Sequence, residues 1–206
     1  MRNNLEQKSI NFAQSLEEQS ESYDVFILFI DLCESTSIKQ YCLLNEIPDS
    51  VWIMRQKSFL SRTATIIQSY NGTIVKTIGD EVMATFSVSV DPTKIIKCVI
   101  EVFQSFENLK SFNKGPFKIY SKASIDFGSC YDGGIMKNGV FDPIGTSVDR
   151  CARINKFAGK NEVIYSEPFN EILRTGNSHF YKGDENRVQE DIQGLGRVTF
   201  YKTSIS

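Results

Sequence analysis

The apolar and polar positions change period several times along the chain, and each change marks an element. Residues 3–19 place Leu5, Ile10, Phe12 and Leu16 among polar neighbours. That is the pattern of a short, modestly amphipathic helix packing on the domain or on a second copy. At 25–30 the run VFILFI is apolar without a break, as in a strand covered on both faces. It ends at Asp31. In the ESTS that follows, Ser35 or Thr36 is placed to cap a helix carrying Ile38, Tyr41, Cys42 and Leu43. Pro48 interrupts it, and 50–69 reads as a longer helix with Val51, Ile53, Met54, Phe59, Leu60, Ile66 and Ile67 on its buried face.

Asn71-Gly72 signals a turn. TIVKTI (73–78) and EVMATF (81–86) are short strands whose Gly79-Asp80 junction predicts a tight antiparallel hairpin. Residues 91–112 read as a helix with Pro92 near its start. A strand is expected over 117–127, ended by Gly128 and the DGG at 132–134, with a loop to Pro143. A helix over 146–158 closes at Gly159. EVIYS (162–166) is a strand, 176–191 a polar excursion rich in loops, and GRVTFYK (196–202) the last strand. No repeat, low-complexity tract or linker divides the chain. The order predicts one α+β domain over 21–206 with 1–20 as a helical extension. Its sheet is antiparallel and ferredoxin-like or palm-like, with helices packed on one face.

Composition narrows the chemistry. The 206 residues suffice for one domain with a real core. With 41% hydrophobic and 23% charged residues, wholesale disorder is excluded. A net charge of −2 offers no basic surplus for nucleic acid. No apolar run approaches the roughly 18 residues of a membrane span, and the polar start lacks a signal-peptide apolar region. The five cysteines (33, 42, 98, 130 and 151) form no CxxC, which argues against a disulfide framework or a zinc site and for a reduced, cytoplasmic setting. The single histidine, His179, leaves carboxylates, lysines and arginines to carry any reaction.

Asp31 stands where the buried strand runs out and Asp80 stands in the hairpin turn. If the hairpin lies beside that strand, the two carboxylates meet at one sheet edge. With a main-chain carbonyl they are a donor set for Mg²⁺ or Mn²⁺, completed by substrate phosphates. The N-terminus of the next helix adds N–H donors and a positive dipole for those phosphates. Taken singly, a capping Asp and a turn Asp are both ordinary.

The longer pattern resembles the class III nucleotidyl cyclases, the family of adenylate and guanylate cyclase catalytic domains. FIDLCESTSI (29–38), VKTIGDEVMATF (75–86) and FDPIGTSVDRCARI (141–154) carry the likeness, and ASIDFGSC (123–130) fits more loosely. The resemblance implies that Asp31 and Asp80 hold two metal ions, with Leu32 lending its carbonyl, beside a phosphate loop containing Ser35 and Thr36. It implies that Lys76 and Asp142 read the base, and that Arg153 stabilises charge on the α-phosphate. It further implies a homodimer with active sites at the interface, since one chain carries both halves. Ring closure by a ribose 3′-oxygen needs metal activation and charge neutralisation but no histidine, which suits this composition.

Three positions depart from the family. Its ribose-orienting asparagine is Asp149 here, four residues before Arg153, so an ordinary i,i+4 ion pair is open. Its triphosphate lysine aligns with Gln193, for which Arg197 or Arg150 are candidate replacements. Glu34 adds negative charge beside the phosphate loop. A bare catalytic unit of this size is similar to the pyrimidine (cytidylate or uridylate) cyclases of bacterial anti-phage Pycsar systems. Those carry a base-pocket tyrosine ahead of the first metal aspartate, and Tyr23 lies eight residues before Asp31. The expectation is therefore a pyrimidine cyclase whose product a separate effector reads, with CTP slightly ahead of UTP because Asp142 accepts from an exocyclic amine. The alternatives are an adenylate cyclase, favoured by Lys76 with Asp142, and a catalytically dead cyclase-like dimerisation module, favoured by Asp149 and Gln193. IGDEV is not the GG[DE]EF of diguanylate cyclases.

Overall fold

The computed structural model describes residues 21–107, 109–112, 115–133, 141–183 and 186–205. The helix expected over 3–19 lies outside them. β1 (Ser22–Leu32) is the spine of an eight-stranded sheet. It lies between β3 (Glu81–Ser87) and β4 (Ser121–Asp132), antiparallel to both. The hairpin partner β2 (Thr73–Ile78) forms one edge. Beyond β4 come β6 (Glu162–Ser166), β8 (Gly196–Ser204) and β7 (Arg187–Ile192), while the two-residue β5 (Pro143–Ile144) pairs with the end of β4. Only β4 and β6 run parallel among the described pairs.

The unbroken run in β1 is explained by burial on both sides. Phe26, Leu28 and Ile30 pack under α2 (Asp49–Ser69), α3 (Pro92–Glu107) and α5 (Glu167–Thr175). Ile27 and Phe29 face the other way, against Cys151 of α4 (Thr146–Asn155). Each such large side chain contributes roughly 1.5–3 kcal/mol by leaving water. The antiparallel α+β class thus holds, but α4 lies on the opposite face from the other sheet-packing helices, not on the same one. Two features of β4 admit it there. Gly128 continues the strand instead of ending it, because a Cβ at this point would come within 2.8 Å of Ser147 Cβ. Ser124 Oγ donates to the Cys151 carbonyl at 2.8 Å, so the helix sits directly on the strand.

Other boundaries moved for local reasons. α3 stops at Glu107, and β4 begins at Ser121 after two short 3₁₀ turns. α5 escapes the apolar pattern because it is only nine residues long, although Ser166 caps it by accepting from the Phe169 N–H. β7 falls in the polar stretch 176–191. Its exposed alternation is that of a sheet edge, and pairing with β8 makes it a strand. α1 (Ser35–Leu44) packs on α2 through Ile38 and Cys42.

Candidate active site

β1 delivers Asp31 to the sheet end, where it opposes Glu81 of β3 and Lys122 of β4. Directly opposed residues share a face, so these three side chains stand abreast on the α4 side. Lys122 Nζ lies 3.3 Å from Asp31 Oδ2. The Gly79-Asp80 turn, with Gly79 at φ +65°, returns the chain so that Asp80 meets the start of α1. There Ser35 Oγ contacts the Asp80 carboxylate and lies 3.0 Å from the Leu32 carbonyl oxygen. Asp31, Leu32, Ser35 and Asp80 are thus one cluster, as the sequence suggested. The capping expectation is not met: neither Ser35 nor Thr36 caps α1. Glu34 occupies the cap position in the left-handed region (φ 63°) with no side-chain cap bond, which frees Ser35 for the cluster. Thr36 is exposed in the first turn of α1, and Glu34 pairs with Lys160 at 2.7 Å.

The electrostatics show a surplus of negative charge. Burial raises the Asp31 carboxyl above its usual range; Lys122 opposes the rise and Asp80 adds to it. Glu81 is pushed up to about 7, chiefly by burial and then by the charge of Asp31. Asn155 of α4 donates to Glu81 Oε1 at 3.0 Å, tying this strand to the helix opposite. Carboxylates that raise one another's pKa are the chemistry a divalent cation relieves. Among the described residues no three His, Cys, Asp or Glu side chains form a metal cage. Mg²⁺ takes one or two carboxylates and leaves the remaining positions to water and substrate phosphates. The donor set of Asp31, Asp80 and the Leu32 carbonyl therefore fits such an ion.

The second group gathers around α4. In β2 the register slips between Ile74 and Lys76, so Lys76 opposes Met83. Without the extra residue it would oppose Val82, whose side chain lies on the α2 and α3 face. The bulge turns Lys76 toward α4, and its Nζ meets Asp142 Oδ1 at 2.7 Å. Asp142 is buried and clipped to the end of β4: its N–H donates to Asp132 Oδ1 at 3.3 Å, and its carbonyl accepts from the Gly133 N–H at 2.8 Å. On α4, Arg153 Nε donates to Asp149 Oδ2 at 3.0 Å and Nη1 to the Gln193 carbonyl at 2.7 Å. The i,i+4 pair left open by the sequence is formed. A cavity of about 600 Å³ opens beside α4, with Lys76, Glu81 and Asp149 among its polar lining and Phe29, Met83 and Ile144 among its apolar lining; Asp31, Asp80, Asp142 and Arg153 are not part of that lining.

Tyr23 stands at the far end of β1, about 26 Å along the strand from Asp31 at some 3.3 Å per residue. Its ring packs edge-on against Phe141 with centroids 5.6 Å apart, and its hydroxyl donates to Glu21 Oε2 at 2.6 Å. It does not belong to the lining of the 600 Å³ cavity; Phe141 places it one residue from Asp142. Arg150 is no candidate for binding phosphate. It forks onto the fully buried Asp126 at 2.7 and 2.8 Å, holding α4 to β4. Arg197 lies on β8 opposite Asp191 and borders a separate groove.

Sequence reasoning did not single out Glu81, Lys122, Lys160 or Arg55. Glu81 was readable in principle as the residue after Asp80. The others acquire meaning only from cross-strand register or from long-range burial.

A profile of the family described as "Adenylate and Guanylate cyclase catalytic domain" matches residues 17–203. Solved structures resemble the chain over most of its length. The guanylyl cyclase Cya2 superposes with a TM-score of 0.73 at 16% identity, covering 91% of this chain and 95% of that one. The adenylyl cyclase CyaB from P. aeruginosa gives 0.70 at 17% identity, covering 91% and 96%. The guanylate cyclase domain of RhGC from Catenaria anguillulae, solved in complex with GTP, gives 0.68 at 13% identity, covering 91% and 100%. Identities this low speak for the fold. The comparison with curated proteins produced no match.

Proposed function

The chain belongs to the adenylate and guanylate cyclase catalytic domain family, and from that premise we propose that it converts a pyrimidine nucleoside triphosphate into its 3′,5′-cyclic monophosphate and pyrophosphate. The observation that carries the reaction is the convergence of Asp31, Asp80 and the Leu32 carbonyl around Ser35 at one sheet end. Two divalent ions held there, Mg²⁺ or Mn²⁺, supply activation of the ribose 3′-hydroxyl and neutralisation of phosphate charge. The 3′-oxygen bonds to the α-phosphorus, its proton passes to solvent, and the bond to the β-phosphate breaks. Arg153 exchanges its contact with Asp149 for the charge building on the α-phosphate. Asp149 accepts from a ribose hydroxyl, and Ser35 and Thr36 flank the triphosphate. Lys76 and Asp142 present a donor and an acceptor to the base.

The active unit is a homodimer. One chain here carries both the carboxylates and the cationic group, so a twofold pair builds two sites. Residues 21–206 form the catalytic domain, with 1–20 as an extension. The protein acts as a soluble cytoplasmic signal generator in anti-phage defence, and a separate effector reads its product. Among the described residues no helix is long and apolar enough to cross a membrane.

The pyrimidine choice rests on the likeness of Tyr23, ahead of Asp31 on the first strand, to the base-pocket tyrosine of pyrimidine cyclases; its ring packs on Phe141, next to Asp142, at the rim rather than in the lining of the cavity. The Lys76–Asp142 contact supports a second reading, an adenylate cyclase, because Asp142 accepts equally from the amine of adenine. Product formation from ATP, GTP, CTP and UTP with Mn²⁺, detected by mass, separates the two. We expect cyclic CMP or cyclic UMP from wild type and a broadened preference in Tyr23→Ala. Mainly cyclic AMP, unchanged in Tyr23→Ala, would establish the adenylate reading. No product from any triphosphate would point to a dimerisation module.

A further inference from the structure

Arg55 is a charged side chain buried to 2% exposure in α2, among the largest fully buried residues of the molecule. Burying a guanidinium costs several kcal/mol unless a carboxylate or a full set of acceptors compensates it. Among the described residues no carboxylate touches it. Its donors go to main-chain carbonyls: Nε to Phe117 at 3.1 Å, and Nη2 to Lys118 at 3.0 Å and to Cys33 at 3.2 Å. Cys33 is the residue between the Leu32 carbonyl and the left-handed Glu34 that opens α1. Burial lowers the Arg55 pKa, while the charges of Glu34 and Asp80 act in the opposite direction, so its field reaches the loop.

We propose that Arg55 is a positioning residue for the metal- and phosphate-binding loop. It fixes the Cys33 peptide, so that the Leu32 carbonyl and the first turn of α1 keep one orientation. It also places a permanent positive charge behind a loop that must accept a highly anionic ligand. Arg55 also satisfies the Phe117, Lys118 and Cys33 carbonyls, so an apolar chain of similar length would remove the charge and at the same time leave three acceptors without these donors. The inference rests on the reading of this sheet end as the site for a triphosphate.

The test separates packing from charge. Arg55→Met keeps the length and loses the charge, whereas Arg55→Lys keeps the charge and loses the fork. The readouts are thermal melting and calorimetric binding of inorganic pyrophosphate in Mn²⁺, with turnover of the four triphosphates run in parallel. We expect Arg55→Met to melt below wild type, because three carbonyls lose their donors, and to bind pyrophosphate at least about tenfold more weakly than wild type. Arg55→Lys should recover most of that binding. If affinity instead follows melting temperature through the series, or Arg55→Met binds like wild type, Arg55 is only a packing residue. Should Arg55→Met fail to fold, Arg55→Lys decides alone: a lowered melting point with near-normal binding supports the inference, and equal losses of both overturn it. Wild type that neither binds pyrophosphate nor turns over any triphosphate would overturn the underlying site reading instead.

Discussion

At the end of β1, Asp31, Asp80 and Glu81 crowd together with Lys122 as the cation in contact. Around α4 the balance is different: Lys76 sits against Asp142 and Arg153 against Asp149, each cation with a carboxylate of its own chain. The first region holds an excess of carboxylates over the cation in contact with them, which is the feature that the proposed metal ions would relieve. The second region is already neutral, so a substrate must displace an internal partner before Lys76 or Arg153 can serve it. The cost of displacement is modest on α4, where the pair is half-exposed and i,i+4, worth a few tenths of a kcal/mol. It is larger at Asp142, which is buried. On the proposed reading the contrast puts metal binding in the first region, fast exchange at Arg153 and a more rigid role on the Lys76–Asp142 pair.

The largest effect should come from removing charge at the crowded end. Asp31→Asn or Asp80→Asn removes a proposed metal ligand and with it several kcal/mol of charge stabilisation, so turnover should fall by roughly 10³-fold or more. Melting temperature should hold or rise, because each change also relieves repulsion among the carboxylates. Near-normal turnover in both variants would remove the metal assignment. A fall in melting temperature that accounts for the lost activity would assign these aspartates to structure.

Next in size is the dependence of one region on the other. Arg153→Ala should lose roughly 10²–10³-fold in turnover with little change in melting, since its exposed pair contributes little to stability. An Asp80→Asn chain mixed with an Arg153→Ala chain should then regain activity. Half of the dimers are mixed at equal amounts, and each holds one site drawn wholly from intact residues. The recovered rate should be about one quarter of wild type. If subunits exchange and no activity returns, each site is built within a single chain, and the two regions serve each other intramolecularly.

The two regions were also unequally legible. Asp31 and Asp80 could be paired from sequence because a buried run that stops at an aspartate and a hairpin with an aspartate in its turn are both local signals. Their meeting required only that the hairpin lie beside the strand. Lys76 facing Asp142 depended on a bulge between Ile74 and Lys76, and no local pattern announces a bulge. The placement of α4 on the far face turned on Gly128, which reads in sequence as a strand breaker and acts in three dimensions as clearance for Ser147. Nothing local in the sequence marks Arg55, since only tertiary packing brings the carbonyls of Phe117 and Cys33 onto it. Tyr23 lies eight residues before Asp31, yet its packing against Phe141 comes from the tertiary fold, which spacing does not encode.

The smallest expected effect concerns Glu81, and it probes the charge excess through stability. In the unfolded chain its carboxyl titrates near its ordinary value of 4.5, whereas the folded protein holds the proton up to about 7. Between those values the native state binds more protons than the unfolded state, so stability must fall as pH rises through that window. The cause is burial beside Asp31 and Asp80, only partly offset by Lys122 and by the Asn155 amide. Glu81→Gln keeps the shape and the contact with Asn155 but cannot ionise. It should therefore melt about 2–4 °C above wild type at pH 8, and the difference should shrink toward zero below pH 5. Saturating Mn²⁺ should narrow the gap at pH 8 for the wild-type chain, because added positive charge at Asp31 and Asp80 favours ionised Glu81. Melting curves for the two proteins at pH 5 and pH 8, each with and without Mn²⁺, give the comparison. If the pH 8 difference is absent, Glu81 is not held against the other carboxylates, and the crowded end has a way of shedding charge that Lys122 alone does not provide.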